Sequence, residues 1–405
     1  MRILLLTSAL PYPPHGGGAL RTFGILRGLS EAGHELSLVC FHDDSVAVSS
    51  TPLVEYCAHI ETLPPPERSM SDRLKMLAFS NQPDLAGRLE SSAMRDALRR
   101  LLNSTTFDMI QFQGLEMAIY LPFVKQAQPA AKLIYDAFNA EYVLQKRIAE
   151  VDRGNPRRLH AAVYSTIQAG RIARFERQIC ALADGVIAVS PEDAESLRPF
   201  RHDGKVHLLP NGIFVDDYAQ PRQGIDLGDQ ALVFTGKMDY RPNVDAALWF
   251  TESILPQIRR RCPNTKLYIV GQKPHSSLHA LGEHEYVEIT GWVAEVQPFL
   301  QRAAVYVAPL RMGAGTRLKL LEAMASGCAI VATPVAASGL VPEAQAAMKL
   351  ADSETEFADA VIRLLEAPQQ QNELGAAAQT AVRRFYDWSA LIPCLLEIHQ
   401  EIASG

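Results

Sequence analysis

Short continuous apolar runs alternate with amphipathic stretches along most of the chain. Arg2–Leu10 is largely apolar, Leu20–Ala32 carries Phe23, Leu26 and Leu29 at helical spacing, and Glu35–Phe41 is apolar again. Runs of this length bounded by turn residues predict strands buried on both faces, and the 3.6-residue spacing predicts the helices between them. Met109–Phe112, Lys132–Tyr135 and Gly185–Val189 continue the strand series, with one or two long helices over Val143–Leu182. After the loose polar stretch QPRQGIDLGDQ a second series begins. Its strands are Ala231–Thr235, Lys266–Val270 and Val287–Thr290, with a helix over Asp245–Arg260 and a closing βαβ unit over Val305–Val335. Leu391–Ile402 predicts a last helix. Two alternating series imply two doubly wound α/β domains facing each other across a cleft.

Length supports that division, because 405 residues exceed the ~250–300 at which single cores stop growing. The expected domains are 1–208, completed by a C-terminal helix within 386–405, and 209–385. A net charge of −6 with 48% hydrophobic residues describes an ordinary globular chain and argues against a dedicated nucleic-acid binder. The six cysteines are scattered, several inside apolar runs, which suggests a reducing compartment and no metal site. No stretch reaches the ~18 apolar residues of a membrane span, so the expectation is a cytoplasmic protein.

The candidate chemistry lies where strands end. PYPPHGGGALRT places three glycines between the first strand and its helix, but the spacing is GGG rather than GxGxxG, which weakens a nicotinamide reading. YDAFNAEY puts Asp136, Asn139 and Glu141 just past a strand end, where ligands bind in open α/β sheets. Turn and cap chemistry explains Asp136 and Asn139 about as well. In the βαβ unit, a loop over Arg311–Gly315 leads into a helix over Thr316–Ser326 that carries Arg317 and Lys319 in its first turn. Cations there are disfavoured by about 0.3–1 kcal/mol each. A bound diphosphate would reverse that sign, and long basic side chains extended into solvent are the alternative. Arg171, Arg174 and Arg177 share one helical face; a solvated face is the favoured reading and an anionic lipid surface the other.

The ordered set PYPPHGGGALRT, YDAFNAEY, ADGVIAVSPEDAESL, LLPNGIFVDDY, FTGKMDYRPNVDAALWF, LYIVGQKP, ITGWV and GAGTRLKLLEAMASGCAIVATPV spans nearly the whole chain. It resembles the retaining, nucleotide-sugar-dependent glycosyltransferases of family 4, and is similar in particular to sugar transferases of bacterial exopolysaccharide assembly. The resemblance implies the GT-B architecture, two Rossmann-like domains with the donor held mainly by the second. No cofactor and no obligatory metal are implied, the nucleotide diphosphate sugar being a substrate.

Residue by residue, the resemblance implies that Gly17 and Gly18 reach the donor diphosphate or the reacting centre through backbone amides. Gly236 and Lys237 would meet the diphosphate, Glu322 would hold the donor ribose, and Gly315 and Thr316 would offer amides. Val293 would lie at the nucleobase, and Asn211 joins the substrate-binding set. Asp136, Asn139 and Glu141 would orient the acceptor or the transferred sugar. Two positions depart from the family pattern. The first glutamate of E-x7-E falls on Ala314, and the second diphosphate cation falls on the uncharged Asn243. Arg317 and Lys319 are expected to replace that cation. The implied partners are a nucleotide-sugar donor and a glycan or polyprenyl-linked acceptor, with peripheral association at the inner face of the membrane. A catalytically inactive nucleotide-sugar-binding scaffold and a non-hydrolysing nucleotide-sugar epimerase are the competing readings.

Overall fold

The computed structural model describes the chain except residues 15, 44, 68, 70–79, 154–158, 221, 223 and 313–317, and no side chain within 151–161 is described. The chain divides into two compact units, Met1–Asn211 with Leu391–Gly405, and Gly212–Ala390.

Among the described residues the first unit holds seven strands: β1 (Arg2–Thr7), β2 (Glu35–Phe41), β3 (His59–Leu63), β4 (Met109–Gln113), β5 (Lys132–Ala137), β6 (Gly185–Ala188) and β7 (His207–Leu208). They form one parallel sheet in the order β3-β2-β1-β4-β5-β6-β7. Helices cover both faces, so β1 and β4 are almost wholly buried and need no polar face. The strand order reverses direction between β1 and β4. That switch point leaves a crevice at the carboxyl ends of the two strands, flanked by the Gly16–Gly18 turn and by Gly114.

The second unit repeats the plan with β8 (Ala231–Thr235), β9 (Lys266–Val270), β10 (Val287–Gly291), β11 (Val305–Ala308), β12 (Ile330–Ala332) and β13 (Lys349–Leu350). The order is β10-β9-β8-β11-β12-β13, again parallel. Here the switch falls between β8 and β11. The turn after β8 begins at Gly236, and the connection after β11 runs through residues 313–317 to the helix Leu318–Ala325.

The helix Trp388–Ser404 returns the chain to the first unit. A Cβ on Gly28 would lie 2.1 Å from Ile392, and one on Gly185 would lie 2.2 Å from Ile402. Glycine at both places lets this helix seat against the Gly17–Glu31 helix and the start of β6. On its inner side His399 is fully buried and its Nε2 meets Gln111 Oε1 at 3.2 Å, while Nδ1 has no hydrogen-bond partner among the described residues. Burial, assisted by the charges of His34 and His207, lowers the His399 pKa to about 3.

Between pH 6.5 and about 3 the unfolded chain binds a proton at His399 that the folded chain does not. This contribution to stability is fully present above pH 6.5 and is lost as pH falls, by up to ~1.4 kcal/mol per pH unit. Urea unfolding at pH 7 and pH 5 should show a smaller acid loss for His399→Gln than for the natural chain.

Candidate active site

In the first unit the helix after β1 opens at Gly17, and Gly16 before it adopts φ 99°, a left-handed conformation that suits glycine. One turn in, Arg21 is buried and forms a bidentate pair with Asp136 at the end of β5, Nη2–Oδ1 2.7 Å and Nε–Oδ2 2.9 Å. Its Nη1 donates to the carbonyl of Leu209 at 2.9 Å, to that of Pro210 at 3.2 Å, and to Asn211 Oδ1 at 3.4 Å. One guanidinium therefore ties together the first helix, the end of β5 and the chain leaving β7. The Asp136 carboxylate is committed to this pair and is fully buried, so its contribution to a reacting centre is to position the loop that follows it.

That loop is held from outside. Asp193 Oδ1 accepts from the Ala140 amide at 2.8 Å. Glu176, fully buried in the helix Leu159–Leu182, accepts from the amides of Glu141 and Tyr142 at 3.2 Å each and from the Tyr135 hydroxyl at 3.0 Å. Burial raises the Glu176 carboxyl to about 8. Two carboxyl groups thus occupy the amides that open the helix Glu141–Arg153, and Phe138, Asn139 and Glu141 are partly exposed. Asn139 Nδ2 donates to Glu141 Oε1 at 3.2 Å, and burial raises the Glu141 carboxyl while this bond opposes the rise. The Phe138 ring lies against both glycine turns, 3.0 Å from a Cβ placed on Gly18 and 3.3 Å from one on Gly114, whose φ is +81°. Gly18 is consequently lined by an apolar ring.

In the second unit Gly236 has φ +155°, and a Cβ there would lie 2.6 Å from Asn243 Nδ2 and 2.7 Å from Lys319 Nζ. The turn is further tied down by Gly271, where a Cβ would overlap the Gly236 carbonyl at 1.7 Å. Asn243, buried near the start of the helix Arg241–Trp249, donates from Nδ2 to the Lys237 carbonyl at 2.9 Å. Its Oδ1 accepts from Lys319 Nζ at 2.7 Å, and the same ammonium sits 4.6 Å from the centre of the Phe234 ring. The uncharged residue at 243 is thus the holder of a cation that arrives from another helix. Lys237 is exposed, 3.8 Å from Asp239.

Glu322, one turn beyond Lys319, accepts from the Tyr218 hydroxyl at 2.9 Å. Burial raises its carboxyl, opposed by that bond and by the Lys319 charge. Val293 is partly buried against the second core. Gly315, Thr316, Arg317 and Ala314 lie outside the described residues. Arg311, just before them, forms a bidentate pair with Asp245 at 2.6 and 2.9 Å.

Sequence reasoning missed Arg21, Glu176, Asp193 and Tyr218. One local signal was Arg21 itself, an arginine on the apolar side of its helix one turn after a glycine run. Asp193 has a local pattern as the acidic residue three positions after the N-cap Ser190, but its bond to the Ala140 amide, like the contacts of Glu176 and Tyr218, spans a long sequence separation.

Tandem parallel doubly wound units with glycine turns at both switch points have the organisation of the GT-B class. Residues 16–212 match the glycosyl transferase 4-like domain and residues 229–367 match the glycosyl transferases group 1 domain. The chain belongs to the GT-B glycosyltransferases. It is similar to phosphatidyl-myo-inositol mannosyltransferase of Mycobacterium tuberculosis, 29% identical over 222 residues, covering 49% of this chain and 54% of that protein. The match therefore spans about half the length of that relative. In fold it is similar to sucrose-phosphate synthase of Thermosynechococcus elongatus, TM-score 0.72 at 16% identity, covering 100% of this chain and 99% of that one. It is also similar to Anabaena HepE in complex with UDP and glucose, TM-score 0.64 at 15% identity over 99% and 100% of the two chains.

Removing one partner of a buried pair strands the other charge, at a cost of about 3–5 kcal/mol. Asp136→Ala and Arg21→Ala should each lower the unfolding free energy by this order in urea titrations. Asn139→Ala, partly exposed and bonded only within its own loop among the contacts described, should stay within about 1 kcal/mol of the natural chain.

Proposed function

We propose that the protein transfers a sugar from a nucleotide diphosphate donor to a glycan or polyprenyl-linked acceptor with retention of anomeric configuration, as a family 4 enzyme of exopolysaccharide or cell-surface glycan synthesis. The observation that carries this reading is the Lys319 ammonium held by Asn243 against the Gly236 turn. A leaving nucleoside diphosphate gains negative charge as the glycosidic bond breaks, and preorganised cations stabilise it there. Lys237 and Lys319 supply that charge in this reading, with Arg317 beside them, and no metal is required. Glu322 holds the donor ribose once its bond from Tyr218 is shared or exchanged, and Gly315 and Thr316 offer amides to the phosphate or the sugar. The backbone at Val293 meets the nucleobase.

On the acceptor side, Asn139 and Glu141 orient the incoming hydroxyl or the transferred sugar, with Asp136 and Asn211 fixing the loops that carry them through Arg21. In the front-face step the bond from the anomeric carbon to the phosphate oxygen breaks. The acceptor oxygen bonds to that carbon on the same face, and its proton passes to the departing phosphate oxygen. The enzyme is a hexosyltransferase in this account and works at the inner face of the membrane, where a polyprenyl-linked acceptor presents its sugar. The likeness to a phosphatidyl-myo-inositol mannosyltransferase supports a lipid-borne acceptor.

Calorimetric titration with UDP, GDP and their sugar derivatives, followed by a product assay on lipid-linked acceptors, tests the proposal. Binding of one nucleotide series and turnover are expected. Binding of none overturns it, and binding without turnover on a broad acceptor panel leaves the scaffold reading in its place. Loss of a charge-assisted hydrogen bond costs about 1.5–3 kcal/mol, so Lys319→Ala should weaken nucleoside diphosphate binding roughly ten- to hundredfold.

A further inference from the structure

The two oxygens of Glu322 have different surroundings. Oε1 accepts from the Tyr218 hydroxyl at 2.9 Å, and among the described residues no hydrogen bond reaches Oε2. Glu322 is partly exposed, whereas Tyr218 is 8% exposed and its ring belongs to the second unit's core. A buried phenol needs an acceptor, and a backbone carbonyl suffices: Tyr120 donates to that of Leu89 and Tyr268 to that of Leu227. Tyr218 donates to a carboxyl instead, in a bond that charge on the acceptor strengthens. Its short helix, Val215–Ala219, is tied at both ends. The Val215 amide donates to Asp387 Oδ2 at 3.1 Å, and Gln301 Nε2 donates to the carbonyls of Tyr218 at 2.8 Å and Gln220 at 2.7 Å. A phenol on a backbone held this way does not follow a carboxyl that turns. The carboxyl takes the orientation that the phenol sets.

We infer that Tyr218 is a positioning residue that makes Glu322 accept from one ribose hydroxyl of the donor rather than from the vicinal pair. This rests on the donor reading proposed above and narrows it. An ionised carboxyl that is free to turn can meet two neighbouring donors with its two oxygens, as it does with a guanidinium. Here Tyr218 keeps Oε1 in the complex, and a single hydroxyl donates to Oε2. Oε1 retains a second lone pair, but the fixed phenol holds the group turned so that Oε2 is the oxygen presented to the nucleotide. The same bond serves the charge. Burial pushes the Glu322 carboxyl up, and the Tyr218 hydroxyl and the Lys319 ammonium oppose that rise, which favours the ionised acceptor. The two ribose hydroxyls are therefore unequal: deleting the one at Oε2 strands a charged acceptor, and deleting its neighbour does not.

Calorimetry on the full chain compares UDP and GDP with their 2′-deoxy and 3′-deoxy forms. In the series that binds, one deoxy form should bind roughly ten- to hundredfold more weakly than its parent, and the other within a few-fold of it. Tyr218→Phe keeps the ring and removes the bond, so the carboxyl turns freely and the gap between the two deoxy forms should close to within a few-fold. A role for Tyr218 in packing alone would weaken all three nucleotides alike and preserve the gap, which overturns the inference. Equal losses for the two deoxy forms in the natural chain overturn it as well, and this comparison needs no variant. Thermal unfolding shows whether Tyr218→Phe is folded. If both deoxy forms bind as tightly as the parent, Glu322 does not read the ribose, and the inference fails while nucleotide binding stands. Binding of neither UDP nor GDP sinks the inference together with the donor reading.

Discussion

An ammonium group beside an aromatic ring and a glycine turn needs an oxygen to fix it, and Asn243 supplies that oxygen to Lys319. Three elements meet at this contact: the end of β8 through Gly236, the helix Arg241–Trp249 through Asn243, and the helix Leu318–Ala325 through Lys319. The absence of a Cβ at Gly236 leaves room for both polar groups, and the Gly271 turn holds the Gly236 carbonyl from behind. A cation in the first turn of a helix is unfavourable in isolation. It becomes favourable when an anion binds the same amides, and the donor diphosphate of the proposed reaction is such an anion.

The first unit treats its strand ends in the opposite way. There Arg21 is paired with Asp136, and the opening amides of the Glu141–Arg153 helix are occupied by the carboxyl groups of Glu176 and Asp193. A helix start whose amides already donate to carboxyl oxygens offers little to a phosphate. Phe138, Asn139 and Glu141 remain partly exposed there, and in the proposed reaction they meet hydroxyl groups and the apolar face of a sugar ring. The two units thus place their compensating charges differently, which is the basis of the division of labour in the proposed reaction.

Much of the fold was legible because parallel strands covered on both faces write themselves as continuous apolar runs, and Ala231–Thr235 and Lys266–Val270 were read to the residue. Ends were less legible: the last strand of the βαβ unit expected over Val305–Val335 is only Ile330–Ala332, because Cys328 still bonds back to Ala323 of the preceding helix. The chain crosses between units at Asn211/Gly212 and Ala390/Leu391, against expected seams at 208/209 and 385/386. The glycine turns were readable as sites because they follow strands. Their partners were not, since Arg21 and Asp136 lie 115 positions apart and Asn243 and Lys319 lie 76 apart. Asn243 read as a lost cation because composition registers charge, whereas its role depends on which ammonium comes within 2.7 Å of its carbonyl.

In the proposed reaction the Lys319 ammonium, held by Asn243, meets the donor diphosphate in place of the cation that the family pattern has at position 243. Nucleoside diphosphate affinity measured by calorimetry for Lys319→Asn and for the exchange Asn243→Lys with Lys319→Asn tests this most directly. The account predicts a loss on the order of tenfold or more for the single variant and recovery of most of it in the exchange. Natural affinity in Lys319→Asn alone would contradict it.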